Sequence, residues 1–246
     1  MNNQIQDLIM AGVKWELSDV SLGFQDEISA ASNAMRVRVA TSVVPPITPT
    51  APIDSETVIA MATRPTTTDS LIRMILEFNH PLRANVTNVV VPHVAKNPSG
   101  LLVITDIPSS DDDASGNILS GATGELFDKM MAAIGLSRDS VHITPILFWR
   151  TPGGRTPSQE EMGLGRPFVS RFIELTEPRI IITLGAVAAM EIAGTDLMHN
   201  HGANKTLDNG INVFSIYHPN YLMLKPSMKQ DVWTVLQTVQ KLLKNV

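Results

Sequence analysis

The sequence predicts an α/β fold, a three-layer α/β/α sandwich around a central parallel sheet of about four strands. Three observations carry that prediction. Short apolar runs recur at Leu101–Ile104, Val141–Leu147, Arg179–Leu184 and Val213–Tyr217. Segments with apolar residues at helical spacing separate them, and alternating strands and helices imply a parallel sheet covered on both faces. The chain has 246 residues, 43% apolar and 17% charged, enough to bury a sizeable core around such a sheet.

Ile5, Leu8, Ile9, Val13 and Leu17 stand at helical spacing in a first segment of mixed polarity, and residues 41–55 hold four prolines and read as a linker. Residues 1–55 are therefore expected to be an extension, and residues 56–246 the folded domain. A helix is expected from Thr68 to Phe78, with Leu71, Ile72, Ile75 and Leu76 on one face. The strand Leu101–Ile104 runs into a loop at Thr105–Ser110. The helix Thr123–Ile134 follows, with Thr123 as N-cap and Gly135 as C-cap. Its stripe of Leu126, Phe127, Met130, Met131 and Ile134 reads as core. After the strand Val141–Leu147 comes a Pro- and Gly-rich loop, Arg150–Pro157. Ser158 and Glu161 then form a capping box that opens a helix running past Pro167 to Leu175. Arg179–Leu184 turns at Gly185 into the helix Ala186–Ala193. Val213–Tyr217 ends in His218-Pro219, and a last amphipathic helix spans about Ser227–Leu243.

The sequence contains no cysteine, which excludes a disulfide scaffold, a thiolate nucleophile, and cysteine-ligated zinc or iron–sulfur centres. Its longest apolar runs are too short to span a bilayer, and no secretory pattern opens the chain, so a cytoplasmic protein without a membrane partner is expected. The net charge of −5 argues against a surface coated in basic residues, but the charge is unevenly spread. Residues 138–246 carry 11 basic and 9 acidic side chains, whereas residues 1–70 carry 4 and 8. The C-terminal half thus has a charge balance compatible with a local positive face for a polyanion.

In parallel sheets, sites form at the carboxyl ends of strands. Here those ends carry Asp106, Thr144–Arg150, Gly185 and His218. Asp106 and the run Asp111–Asp113 have the chemistry to orient water or stabilise a cation, and also that of ordinary loop caps. His218 lies between Tyr217 and Tyr221, both tyrosines of the chain. A metal pair at His199 and His201 is not expected. No phosphate-binding loop, nucleophile elbow or dinucleotide fingerprint occurs. The residues alone point to an acid-plus-histidine cleft at these strand ends.

The order of motifs resembles the uracil-DNA glycosylases, in particular the family-4 branch that carries an iron–sulfur cluster. Thr105-Asp-Ile-Pro-Ser109 looks like that family's Gly-Glu-Ala-Pro-Gly, and its Glu-Asp falls on Asp112-Asp113. Its Gly-x-Pro-Phe-Val-Gly lies on Gly116–Gly121, and its Ala-Gly-x-Leu-Leu-Asp-x-Met on Thr123–Met130. Ile143–Arg155 is similar to Ile-Thr-Asn-Val-Val followed by Arg-Pro-Pro-Gly-Asn-Arg. Pro178–Gly185 is similar to Pro-Lys-Val-Ile-Val-Thr-Leu-Gly, and His218–Pro226 to the closing His-Pro-x-Tyr-Leu-Leu-Arg-x-Pro. The resemblance covers roughly residues 70–246.

The resemblance implies a DNA-repair enzyme that flips a base out of DNA and hydrolyses its N-glycosidic bond, acting as a monomer without a cofactor here. Asp106, Asp112 and His218 would be catalytic, with Ile107, Pro108, Leu119 and Pro145 lining the base pocket. Leu222, Met223 and Leu224 would wedge the DNA stack, and Arg150, Arg155, Lys225 and Lys229 would meet phosphates. The pocket is altered: Asp replaces the motif Glu, Leu119 replaces a stacking Phe, and Pro145 replaces an Asn that reads the base edge. These changes leave open a non-catalytic nucleic-acid-binding or interaction protein, or an unrelated activity on the same fold. In the resembling family four cysteines hold the cluster. Two of their positions fall on Trp149 and Gly165, and the first pair belongs at or before Phe78–Leu82. The Trp149 indole is expected to fill part of the cluster's space.

Overall fold

The computed structural model describes residues 55–244. The helical segment and proline-rich linker expected before residue 55 lie outside the described residues. Helices α1 (Ser55–Ala62) and α2 (Thr68–Glu77) precede strand β1 (Leu101–Thr105). Helices α3 (Ser110–Ser115) and α4 (Gly121–Ala133) lead to β2 (Val141–Pro145), and α5 (Gln159–Thr176) leads to β3 (Ile180–Leu184). Then come α6 (Ala186–Ala193), β4 (Asn204–Thr206), β5 (Asn212–Ile216), α7 (Pro219–Leu224) and α8 (Lys229–Lys244).

The strand order is β2-β1-β3-β5-β4. The first four strands are parallel, as the alternation of strands and helices requires. The fifth, β4, is an antiparallel edge strand of three exposed residues. It is too short and too polar to leave an apolar run in the sequence. Side chains alternate across the sheet. Leu102, Ile104, Ile181 and Val213 pack under α1, α2, α5 and α6. Leu101, Val103, Ile180, Ile182, Phe214 and Ile216 pack against α4, α7 and α8. Strands buried on both faces read as continuous apolar runs, which is why β1, β2, β3 and β5 stand out in the sequence.

The capping box at the start of α5 forms as expected, with the Ser158 hydroxyl accepting from Glu161 N–H and the Glu161 carboxylate accepting from Ser158 N–H. The same helix continues through Pro167. Two boundaries and several short helices differ from expectation. Helix α4 starts at Gly121 with Ser120, not Thr123, as its N-cap. Strand β2 ends at Pro145; Ile146 N–H still donates to Thr105 O, and Leu147–Trp149 continue as a buried segment outside the strand. The short helices α1, α3 and α7 form where no helix was expected. No described helix is long and apolar enough to cross a membrane.

Because β1 connects forward to β2 on one side while β3 pairs on its other side, the carboxyl ends of β1 and β3 are the topological switch point. Connections leave in opposite directions there, opening a crevice.

Candidate functional site

Backbone hydrogen bonds tie the strand ends together at that crevice. Ile146 N–H donates to Thr105 O (2.8 Å), Asp106 N–H to Leu184 O (3.1 Å), and Gly185 N–H to Ile216 O (3.0 Å). Thr105, Asp106, Ile146, Gly185 and the segment entering His218 are thereby drawn to one rim.

His218 caps α7: its Nδ1 accepts from Asn220 N–H at 3.2 Å. A neutral imidazole whose Nδ1 accepts must carry its proton on Nε2. Nε2 then donates to the Thr105 hydroxyl at 3.0 Å. Burial pulls the His218 pKa down to about 4, against the opposing pull of the Asp112 carboxylate. The group at the end of β5 is therefore an uncharged N–H donor near neutral pH.

Asp106 is oriented by α6. Its Oδ1 accepts from Ala188 N–H at 2.8 Å, in the first turn of that helix. Burial raises its pKa to about 6, while the N–H groups of Ala188, Val187 and Ala186 pull it down. A Cβ on Gly185 would run into this carboxylate, and Gly185 also has φ +106°. Glycine is required here by contact and by backbone conformation.

Asp112 is only 5% exposed, and its carboxylate accepts three hydrogen bonds from two residues. Its Oδ2 accepts from Ser109 N–H (2.9 Å), and its Oδ1 from both the N–H (2.7 Å) and the hydroxyl (2.9 Å) of Ser120. The carboxylate thus closes a capping box on α3 and draws in the start of α4. The loop it closes carries Leu119, 2% exposed with φ +50°, a left-handed conformation that is strained for leucine. Arg138 holds the strained segment by donating to Ile118 O (2.9 Å) and Leu119 O (2.6 Å). Gly124 permits the fold from below, since a Cβ there would meet the Leu119 carbonyl. Arg138 and Gly124 were not among the expected site residues. The glycine had a sequence signal in the motif at Thr123–Met130, whereas Arg138 had none.

Pro108 and Pro145 are buried and Ile107 is half-buried along the same rim. Pro145 supplies neither a side-chain amide nor a backbone N–H. Of the expected wedge residues, Met223 and Leu224 are 39% and 76% exposed. Leu222 is corrected: it is 1% exposed and packs in the core with Val232 and Leu236, because α7 turns that face inward. Lys225 and Arg155 are exposed, and Arg150 and Lys229 are partly so. The Arg155 guanidinium pairs with the Glu161 carboxylate, which lowers the Glu161 pKa to about 2.

The family-implied cluster site does not fit an iron–sulfur group. Trp149 is fully buried and lies flat on His80, with centroids 4.3 Å apart and planes at 4°. Phe78 packs on both Trp149 (5.8 Å) and Phe168 (5.0 Å). A Cβ on Gly165 would come within 2.6 Å of Leu147 Cδ1. His80 donates from Nε2 to Glu161 O at 3.0 Å and accepts at Nδ1 from Leu82 N–H at 3.1 Å, so neither ring nitrogen is free. An aromatic stack occupies this region, and the sequence has no thiol.

A sequence profile of the Uracil DNA glycosylase superfamily matches residues 91–242. The Type-4 uracil-DNA glycosylase of Archaeoglobus fulgidus is 28% identical over 173 residues, covering 66% of this chain and 86% of that protein. Those of Pyrobaculum aerophilum and Thermotoga maritima are 27% and 29% identical over 161 and 146 residues. They cover 62% and 58% of this chain, and 80% and 76% of their own.

Proposed function

Since the chain belongs to the uracil DNA glycosylase superfamily, we propose that it hydrolyses the N-glycosidic bond of a base flipped out of DNA. The observation that carries this reading is His218, a buried neutral imidazole with its proton on Nε2 at the switch-point rim. As the glycosidic bond breaks, negative charge grows on the departing base. An N–H donor that is already oriented and desolvated favours that charge more in the transition state than in the ground state. Thr105 holds the imidazole until the base oxygen takes its place.

Asp106, with its pKa raised to about 6, is a carboxylate at neutral pH and a base poised to orient water toward the sugar carbon. Water adds hydroxyl to that carbon, the base leaves with a proton, and the products are a free base and an abasic site. Asp112 contributes a fixed negative charge near His218 and holds the loop of Leu119. With Pro145 in place of an amide, recognition rests on His218 and on apolar contact from Ile107, Pro108 and Leu119. Apolar contact alone discriminates by about 10- to 200-fold. Uracil and 5-substituted uracils should therefore differ in excision rate by no more than about two-hundredfold.

A second reading, a DNA-binding protein without catalysis, is favoured by the commitment of Asp112 to three donors and of Asp106 to α6. Strand cleavage after alkali treatment of oligonucleotides bearing uracil or other modified bases separates the two. Excision by the wild type that falls at least a hundredfold in His218→Ala supports the enzyme reading. DNA binding without excision of any base tested supports the second.

A further inference from the structure

Beside the His218 rim the side chains form a ladder that the proposed chemistry does not use. His201 stacks on Tyr217, with centroids 4.1 Å apart and planes at 20°. Tyr217 meets Tyr221 at 4.9 Å and 39°. Lys225 Nζ stands 5.4 Å over the Tyr221 ring. All three rings are partly exposed and Lys225 is exposed. Neither tyrosine hydroxyl has a hydrogen-bond partner among the described residues, and burial lowers the His201 pKa, which keeps its ring neutral for stacking. The ladder ends beside exposed Met223 and Leu224 at the far end of α7, the helix that His218 caps.

We infer that Tyr221, buttressed by Tyr217 and His201, is a stacking platform for an unpaired base of single-stranded DNA next to the base held at His218. The inference rests on the DNA-acting reading above and adds a second base subsite to it. The chemistry is specific to a nucleic acid. A π face held rigid from behind accepts any base, and a cation at its edge suits the adjoining phosphate. Lys225 lies over the Tyr221 ring as an exposed side chain. An incoming base displaces it from the ring, and its ammonium swings to the backbone without leaving the site. Met223 and Leu224 border the same position, so the neighbouring base step meets apolar side chains rather than water.

The test uses the full chain and a single-stranded oligonucleotide carrying 2-aminopurine beside the target position, with no excisable base. Wild type is expected to quench its fluorescence on binding, as stacked 2-aminopurine does. Tyr221→Phe keeps the quench and the affinity. Tyr221→Ala loses the quench and binds roughly ten- to a hundredfold more weakly, the range for one lost base stack, with an unchanged salt slope. Lys225→Ala keeps the quench and lowers the salt slope by about one unit. Thermal melting of each variant verifies folding. Equal quenching and affinity in wild type and folded Tyr221→Ala overturns the inference, even if excision is observed. Tyr221-dependent quenching without excision of any base upholds the platform while the glycosylase reading fails.

Discussion

Asp106 and His218 face the same rim with pKa values displaced in opposite directions, to about 6 and about 4. Burial is the largest cause of both, since it penalises whichever form is charged. The proposed reaction needs the ionised carboxylate and the neutral imidazole together, and both are present only above about pH 6. Single-turnover excision should therefore rise with pH through about 6 and then stay level into the alkaline range. Asp106→Asn should still accept from Ala188 N–H through its carbonyl oxygen, and should lose about 10²- to 10⁴-fold in rate, with the limb near pH 6 gone. A wild-type profile that is flat between pH 5 and 8 would remove Asp106 from the water-orienting role. So would an Asp106→Asn enzyme of unchanged rate.

At the scale of elements, the loop between α3 and α4 is held in a strained shape from three sides, by Asp112, Arg138 and Gly124. Arg138→Ala removes charged hydrogen bonds to two carbonyls. It should cost about 1.5–3 kcal/mol in denaturant unfolding and slow excision through misplacement of Leu119. Gly124→Ala forces α4 off that loop and should be at least as damaging; a variant with wild-type stability would refute the close approach. The aromatic stack makes a separate claim: Trp149→Ala should cost about 3–5 kcal/mol, as for a large core side chain, with no iron in the purified protein. Much of this was legible in the sequence where many residues repeat one signal. Strands β1, β2, β3 and β5 are buried on both faces, and α5 carries its own capping box. The short elements α3, α7 and β4 hold too few residues to show a period. The site divides in the same way. Asp106 and His218 announce themselves by standing at strand ends. Their partners do not, because the contacts of Asp112 with Ser120, of Arg138 with Leu119 and of His80 with Trp149 join residues that only the folded chain brings together. Leu222 and Leu224 are alike in the sequence, and the packing of α7 alone decides which is buried.

For the whole molecule, the two displaced groups act on stability with opposite signs. The folded pKa of Asp106 lies above its ordinary value of 3.8, so the folded state binds its proton more readily, and stability falls as pH rises from about 4 to 6. The folded pKa of His218 lies below 6.5, so the unfolded chain binds its proton more readily, and stability is lost as pH falls from 6.5 towards 4. Each slope is at most about 1.4 kcal/mol per pH unit, and over pH 4–6 they oppose one another. Burial also lowers the pKa of His80, His142 and His201, which leaves a net loss of stability on acidification. Asp106→Asn removes the one opposing slope among these groups. Its unfolding free energy should therefore drop more steeply than the wild type's between pH 6 and 4, by up to about 1.4 kcal/mol per unit, while near pH 7 it should equal or exceed the wild type's. Urea titrations of both proteins at pH 4.5, 5.5 and 7 measure this directly. Parallel curves would mean that Asp106 is solvated in the folded state, and would withdraw the buried carboxylate from the catalytic argument as well.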